Sequence, residues 1–383
     1  MLASTCSKAS LVLLILGASS ISVQAEFQKY NYGNSGGWLN GFWVDDYGRH
    51  VVLAGNGMDP QFTSIYSQGI RTDYSFDTRG VSSDGRVFGS TIGSNGKPAA
   101  AYLDFSGQIN LFSLPSSSWG SGGSSFIDRM NGSYTSVISE GGPASPAVPE
   151  VYRHELYENA NYLHGIESEY GVVNVASKKL ASNGNLNLFK FDPDQHILKK
   201  PSGEETILIN YEGTGSLQGW QGSDNYTYIT DISDNGLMLL TYGTIGSNLY
   251  TQKIYDPANE VYTNVISDRG VNRINNNGDL LSLSVDPTTY RAQFWYKKNG
   301  EEWVNATELS GLSYVQLQEW SDRYFHDFDL TNSGYIYGMT GRTGTNAFHE
   351  AYVMSPVPEP GTMLLLAAGA SGLIAARRRK KQA

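Results

Sequence analysis

His154-Glu155 opens like the His-Glu-x-x-His pair of a helical zinc site, but position 158 is Glu and the next histidine is His164. The two imidazoles one helical turn apart that would share a zinc ion are therefore absent. In the run YFHDFDL, a strand would put Asp327 and Asp329 on one face and His326 on the other. Two such carboxylates could hold calcium with carbonyl help or work as an acid and a base, although exposed acidic residues near a strand end are the commoner case. The stretch Gly213 to Gly219, GTGSLQG, has the wrong last spacing for a dinucleotide fingerprint and no helical pattern after it, so it reads as a loop. Gly120-Ser121-Gly122 sits in a serine- and glycine-rich stretch without the strand-to-helix turn of a serine nucleophile. The aspartates and asparagines elsewhere do not form an EF-hand pattern. Seven tryptophans and 25 tyrosines offer flat apolar faces on which sugar rings stack, and Trp119 and Trp220 are the candidate ligand-stacking residues. From these residues we expect no catalytic group, no metal ligand and no cofactor.

The elements that must carry these side chains are announced by a recurring turn. Ser82-Ser83-Asp84-Gly85 leads into RVFGSTIG, Ser233-Asp234-Asn235-Gly236 into LMLLTYG, Asn275-Asn276-Asn277-Gly278 into DLLSLSV, and Thr331-Asn332-Ser333-Gly334 into YIYGMTG. Asp45-Asp46-Tyr47-Gly48, Met130-Asn131-Gly132 and Ala181-Ser182-Asn183-Gly184 are weaker copies. Asn-Gly and Asp-Gly suit a two-residue hairpin turn with both central residues at positive φ. Further hairpins are expected at Ser106-Gly107, near Pro257 to Asn259, and at Lys298 to Gly300, which makes four strands per repeat. One polar turn every forty to fifty residues or so, each feeding an apolar run, is the pattern of an all-β, propeller-like array of about six or seven repeats. Leu114 to Phe126 reads as a flexible loop and the proline-bearing Glu140 to Glu150 as a linker. The following VYRHELYENANYLHGIESEYG is the one stretch with helical character, with irregular strands as the alternative, and is expected as an insertion on one face of the array.

The ends give an address. Lys8 precedes the apolar Leu11 to Gly17, and Val23-Gln24-Ala25 has the small-residue pattern of a signal-peptidase site, so residues 1–25 read as a signal peptide cleaved after Ala25. At the other end Pro358-Glu359-Pro360 precedes an apolar run, Thr362 to Ala376, which stops at Arg377, Arg378, Arg379, Lys380 and Lys381. Fifteen residues make about 22 Å of helix, a marginal span of a bilayer, and the basic cluster would stay on the cytoplasmic side. The two prolines hold the Pro-Glu-Pro extended above the membrane, in the shape of a processing site.

Taken together, the Pro-Glu-Pro, the single hydrophobic helix and the basic stop resemble the PEP-CTERM sorting signal of Gram-negative bacteria. The resemblance implies an exosortase-type membrane protease as partner, transient anchoring in the inner membrane, and delivery to the surface of a cell that makes exopolysaccharide. The body also resembles HAF-type extracellular repeats, with Ile274-Asn275-Asn276-Asn277-Gly278 as the nearest copy and Gln293-Phe294-Trp295 and Ala347-Phe348-His349 as degenerate copies of the histidine-alanine-phenylalanine element. Three segments result: 1–25 signal, 26–355 extracellular β-repeat body, and 356–383 sorting segment.

Charge narrows the partners. Lys8 and the five tail residues are the only basic residues outside 26–355, and Glu359 is the only acidic one, so the body holds 21 basic and 36 acidic residues, a formal charge of −15. Such a surface repels nucleic acid and anionic lipid. Cys6, the sole cysteine, leaves with the signal, so the body has no disulfide, no thiolate ligand and no cysteine nucleophile. We therefore expect an exported, non-catalytic module that binds exopolysaccharide or other matrix proteins, with a secreted glycoside hydrolase or lyase on a propeller as the alternative.

Overall fold

The computed structural model describes residues 27–355 apart from 32–37, 56–61, 115–123, 142–150, 170–172, 176–179, 182, 191–194, 211–224, 245–249, 266, 268, 287, 317–327 and 342–347. Its strands form seven antiparallel sheets. Blade 1 holds β2 (Trp38–Val44), β3 (His50–Gly55), β4 (Phe62–Ser67) and β5 (Ile70–Tyr74); blade 2 holds β6 (Asp77–Val81), β7 (Val87–Ile92), β8 (Pro98–Leu103) and β9 (Ile109–Leu111). Blade 3 comprises β10 (Ser124–Asn131), β11 (Tyr134–Gly141), β12 (Val151–Glu158) and β13 (Asn161–Glu169). Blade 4 comprises β14 (Val173–Val175), β15 (Leu186–Lys190), β16 (Gln195–Lys199) and β17 (Glu205–Asn210). Blade 5 is β18 (Asn225–Ile232), β19 (Met238–Thr244), β20 (Tyr250–Asp256) and β21 (Val261–Val265). Blade 6 is β22 (Val271–Ile274), β23 (Leu280–Val285), β24 (Arg291–Lys297) and β25 (Trp303–Asn305), followed by the short helix α1 (Ala306–Leu309) and by β26 (Val315–Gln316), which pairs with β24. Blade 7 is β27 (Phe328–Leu330), β28 (Ile336–Gly341) and β29 (Phe348–Met354), and its fourth strand is β1 (Phe27–Asn31) from the other end of the chain.

The all-β propeller is thus observed, with seven four-stranded repeats. Its core is a cycle of interfaces between successive blades. Alternate residues of one strand serve opposite neighbours, because side chains leave a strand with period two. Val51 packs toward blade 2 while Val52 packs toward blade 7. Leu239 packs toward blade 6, and Met238 and Leu240 toward blade 4. Ala351 and Val353 of blade 7 join Leu39, Phe42 and Val44 of blade 1, which closes the cycle.

The seven repeated turns all connect the first and second strands of their blades, so they gather at one end of the ring. Their geometry corrects the two-residue expectation at six of the seven. Gly48, Gly85, Gly184, Gly236, Gly278 and Gly334 each donate their N–H to the carbonyl three residues back, and among the described residues of these turns only the glycine takes a positive φ, between 76° and 93°. This is a type I turn finished by a left-handed residue, the three-residue loop in which glycine's missing Cβ is needed. Only Asn131 to Tyr134 closes through two loop residues. The hairpins expected at Ser106-Gly107, Pro257 to Asn259 and Lys298 to Gly300 are present as β8–β9, β20–β21 and β24–β25.

The stretch with helical character is instead β12 and β13, the outer hairpin of blade 3, and not an insertion on a face. Its strands do not alternate polar and apolar because both faces of β12 are covered. Leu156 packs against blade 4 and Tyr157 against blade 2.

Candidate functional site

The first strands of the blades line the axis, and the repeated turns meet across it. Asn332 Nδ2, from blade 7, donates to Asp46 Oδ2 of blade 1 at 3.0 Å and to Asp234 Oδ2 of blade 5 at 3.1 Å. The Ser333 N–H donates to Asp46 Oδ1 at 3.1 Å. Asn332 Oδ1 accepts from the N–H of Asn276 in blade 6 at 2.9 Å, and Asn276 Oδ1 accepts from the N–H of Asn235 in blade 5 at 2.7 Å. Asn131 Nδ2 of blade 3 donates to the carbonyls of Leu180, in blade 4, and Asp234 at 2.7 and 3.0 Å, and its Oδ1 accepts from Ser83 Oγ of blade 2 at 2.9 Å. All seven blades are tied into this belt. In two blades the residue after the turn glycine adds a second layer: Arg49 donates to the Gly85 carbonyl of the next turn, and Arg86 donates to the Gly132 carbonyl of the turn after that.

A cavity of about 340 Å³ lies beside the belt. Its polar wall includes Asp45, Asp46, Asp128, Asp234 and Asp329 with Arg79 and Arg129, and Trp43, Phe88 and Tyr337 supply aromatic surface. A β-bulge delivers part of this set. In blades 2, 3, 5 and 6 the first strand slips register at Arg79, Asp128, Thr230 and Asn272, each three residues before the first turn residue. An extra residue at that point re-aims adjacent side chains, and two of the four, Arg79 and Asp128, reach the cavity.

The carboxylates are engaged by neighbours. Asp45 accepts from Arg49 Nε at 2.6 Å and from the N–H groups of Tyr47 and Arg49. Asp128 Oδ2 accepts from Arg129 Nε at 3.0 Å, and Arg273 Nε lies 3.8 Å from Asp329 Oδ1. Burial pushes the Tyr337 hydroxyl well above its ordinary pKa, with Asp329, Asp234 and Asp46 adding to the rise and Arg273 opposing it, so the phenol stays protonated. Among the described residues no cluster of three or more His, Cys, Asp or Glu is arranged to hold a metal ion.

Of the sequence candidates, Asp329 comes to the cavity, while His326 and Asp327 lie outside the described residues. So do Trp119, Trp220, Gly120 to Gly122, Gly213 to Gly219, the signal segment with Ala25, and the sorting segment with Pro358, Glu359, Pro360 and Arg377 to Lys381. His154 and Glu155 are buried in β12, pointing to opposite faces of a strand. The residues that sequence reasoning missed, Asp46, Asp234 and Asn332, share one signal: each is the second residue of a repeated turn.

Burial sets a pH dependence. His50, His154 and His164 each titrate below the usual histidine value chiefly because burial disfavours the imidazolium. Asp45 opposes this at His50; at His154 Asp128 opposes it and Arg129 adds to it; Lys199 adds to it at His164. The unfolded chain therefore binds more protons than the folded one below about pH 6.5, so stability falls as pH drops through that value toward the folded pKa values. Urea denaturation at pH 7.5 and 5.5 is expected to show the lower midpoint at pH 5.5, with the gap narrowed in His154→Gln.

Comparison with solved structures supports the fold. An oligogalacturonate lyase in complex with manganese superposes with a TM-score of 0.50 at 9% identity, covering 88% of this chain and 97% of that one. The acylaminoacyl peptidase of Pyrococcus horikoshii superposes with a TM-score of 0.51 at 10% identity, covering 86% of this chain and 53% of that one, so the chain spans about half of the peptidase. Virginiamycin B lyase from Staphylococcus aureus gives 0.42 at 13% identity, covering 86% of this chain and 99% of that one. At 9% and 10% identity the likeness to the oligogalacturonate lyase and the peptidase is one of fold. A search of curated proteins finds no match to the chain. Residues 356–380 match the PEP-CTERM protein-sorting motif, which implies export and processing by an exosortase, a membrane protease. The chain thus carries a PEP-CTERM protein-sorting motif behind a β-propeller body.

Proposed function

We propose that this exported propeller is a non-catalytic protein of the cell surface or extracellular matrix, which binds exopolysaccharide or other matrix proteins through its axial cavity. The observation that carries this reading is the engagement of the cavity carboxylates: Asp46 and Asp234 share the Asn332 amide, Asp45 pairs with Arg49, and Asp128 pairs with Arg129. A general acid or nucleophile works by exchanging a proton or a bond with substrate, and carboxylates held in such contacts are poor candidates for either role. Trp43, Phe88 and Tyr337 give the cavity the aromatic surface on which a sugar ring packs, and about 340 Å³ is at the lower end of ligand-site volumes.

The second reading, a carbohydrate-active enzyme, draws support from Asp77, whose pKa burial raises against the opposing charge of Arg79. One experiment separates the two. Residues 26–355 are titrated with exopolysaccharide from the host, and polymer length is followed over time. Saturable binding at unchanged length supports the module. Shortening of the polymer, abolished by Asp77→Asn, supports the enzyme. No binding at millimolar sugar removes carbohydrate as the ligand in both readings and leaves protein partners.

A further inference from the structure

One donor at the axial cavity is not satisfied by the fold. Arg129 on β10 is 7% exposed, and its Nε donates to Asp128. Its Nη1 is buried and has no hydrogen-bond partner, although the residue lines the cavity. A buried guanidinium N–H without an acceptor is costly, and an acceptor arriving from the cavity side would remove that cost. On the adjacent blade Arg79 lines the same cavity, with Asp77 Oδ2 3.5 Å from its Nη2 and its guanidinium 4.5 Å from the Phe126 ring. Its side chain is 48% exposed, so it keeps donors directed at solvent-accessible space. Two guanidinium groups thus border a space that aromatic rings also line.

We propose that Arg129 and Arg79 form a recognition site for the carboxylate of an acidic sugar, whose ring packs on the aromatic surface of the cavity. The inference rests on reading this cavity as the polysaccharide site and adds the class of sugar. A planar guanidinium presents parallel N–H groups that match the two oxygens of a carboxylate, a fit that a neutral hydroxyl does not reproduce. Asp128 holds the Arg129 plane through Nε and leaves Nη1 for the ligand.

The test is calorimetric titration of residues 26–355, which include every described strand of the closed ring, with glucuronate, glucose and sulfate. Glucuronate is expected to saturate at millimolar concentration and glucose to bind at least tenfold more weakly. Arg79→Gln and Arg129→Gln should each weaken glucuronate at least tenfold and leave the glucose response unchanged. Because Arg129 is buried, the exposed Arg79 variant carries the test if Arg129→Gln fails to fold. Equal affinity for glucose and glucuronate, unchanged affinity in the folded Arg79 variant, or sulfate binding as tightly as glucuronate would each overturn the assignment. Host polymer that binds while glucuronate does not would sink this inference and leave the proposed function standing. Failure of both would remove the carbohydrate reading itself.

Discussion

Removal of residues 26–37, and with them β1, is expected to lower the melting temperature by about 10 °C and to promote self-association. Five residue pairs, from Phe27–Met354 to Asn31–Glu350, form the ladder that attaches β1 to β29. At about 1 kcal/mol net for each ladder hydrogen bond, their loss is on the order of 5 kcal/mol, and each kcal/mol moves the midpoint of a body this size by roughly 2 °C. The ring does not simply open, because the apolar contact of Ala351, Val353 and Tyr337 with Leu39, Phe42 and Val44 still joins blades 7 and 1. What the deletion exposes is the edge of β29, an extended run of unpaired N–H and C=O groups, and such an edge pairs with other chains. A synthetic peptide of residues 26–37 added in trans should restore part of the lost stability by strand addition. A truncated protein with unchanged melting temperature and unchanged sedimentation would show that β1 does not hold the ring. Cleavage after Ala25 would leave β1 entire on the exported chain, so the same experiment bears on where processing can occur.

Much of this architecture was legible because the turn chemistry repeats. A glycine that must be left-handed recurs at 48, 85, 184, 236, 278 and 334, and its neighbours are short polar residues, so an array of about six or seven repeats with four strands each follows from local sequence. The closing strand was not legible, since FQKYN carries no turn phrase and its partner lies more than three hundred residues away. β12 read as helical for a related reason: a strand buried on both faces shows no period of two, and His154 and Glu155 stand in it beside Leu156 and Tyr157. The site was legible only in part. Asp329 was singled out for its carboxylate neighbour in sequence, yet it meets the cavity beside Arg273 of blade 6 and its own strand partner Tyr337. Arg79, Arg129 and Asp128 gave no local signal, because a bulge that re-aims side chains leaves no residue signature beyond one extra position. Polar residues at the turns were adequately explained by turn geometry alone, and nothing in one turn reveals that its second residue reaches another blade.

That second residue carries the other large effect. Asn332→Ala is expected to cost about 3 kcal/mol in urea denaturation, since it removes two hydrogen bonds to carboxylates and one from the Asn276 N–H at a half-buried site. The amide also separates Asp46 from Asp234 electrically, by presenting one donor nitrogen to both. Asn332→Asp has the same shape and keeps an acceptor for Asn276, but it sets a third carboxylate between the two. At pH 7 it should therefore be less stable than Asn332→Ala. Clustered carboxylates titrate above their unfolded values, so the folded variant binds more protons than its unfolded chain, and the deficit of Asn332→Asp relative to wild type should shrink as pH falls from 7 to 4. The deficit of Asn332→Ala, which adds no ionisable group, should show no comparable recovery. If instead both variants lose the same stability at every pH, the belt acts by packing alone and Asn332 is not the residue that reconciles the two aspartates.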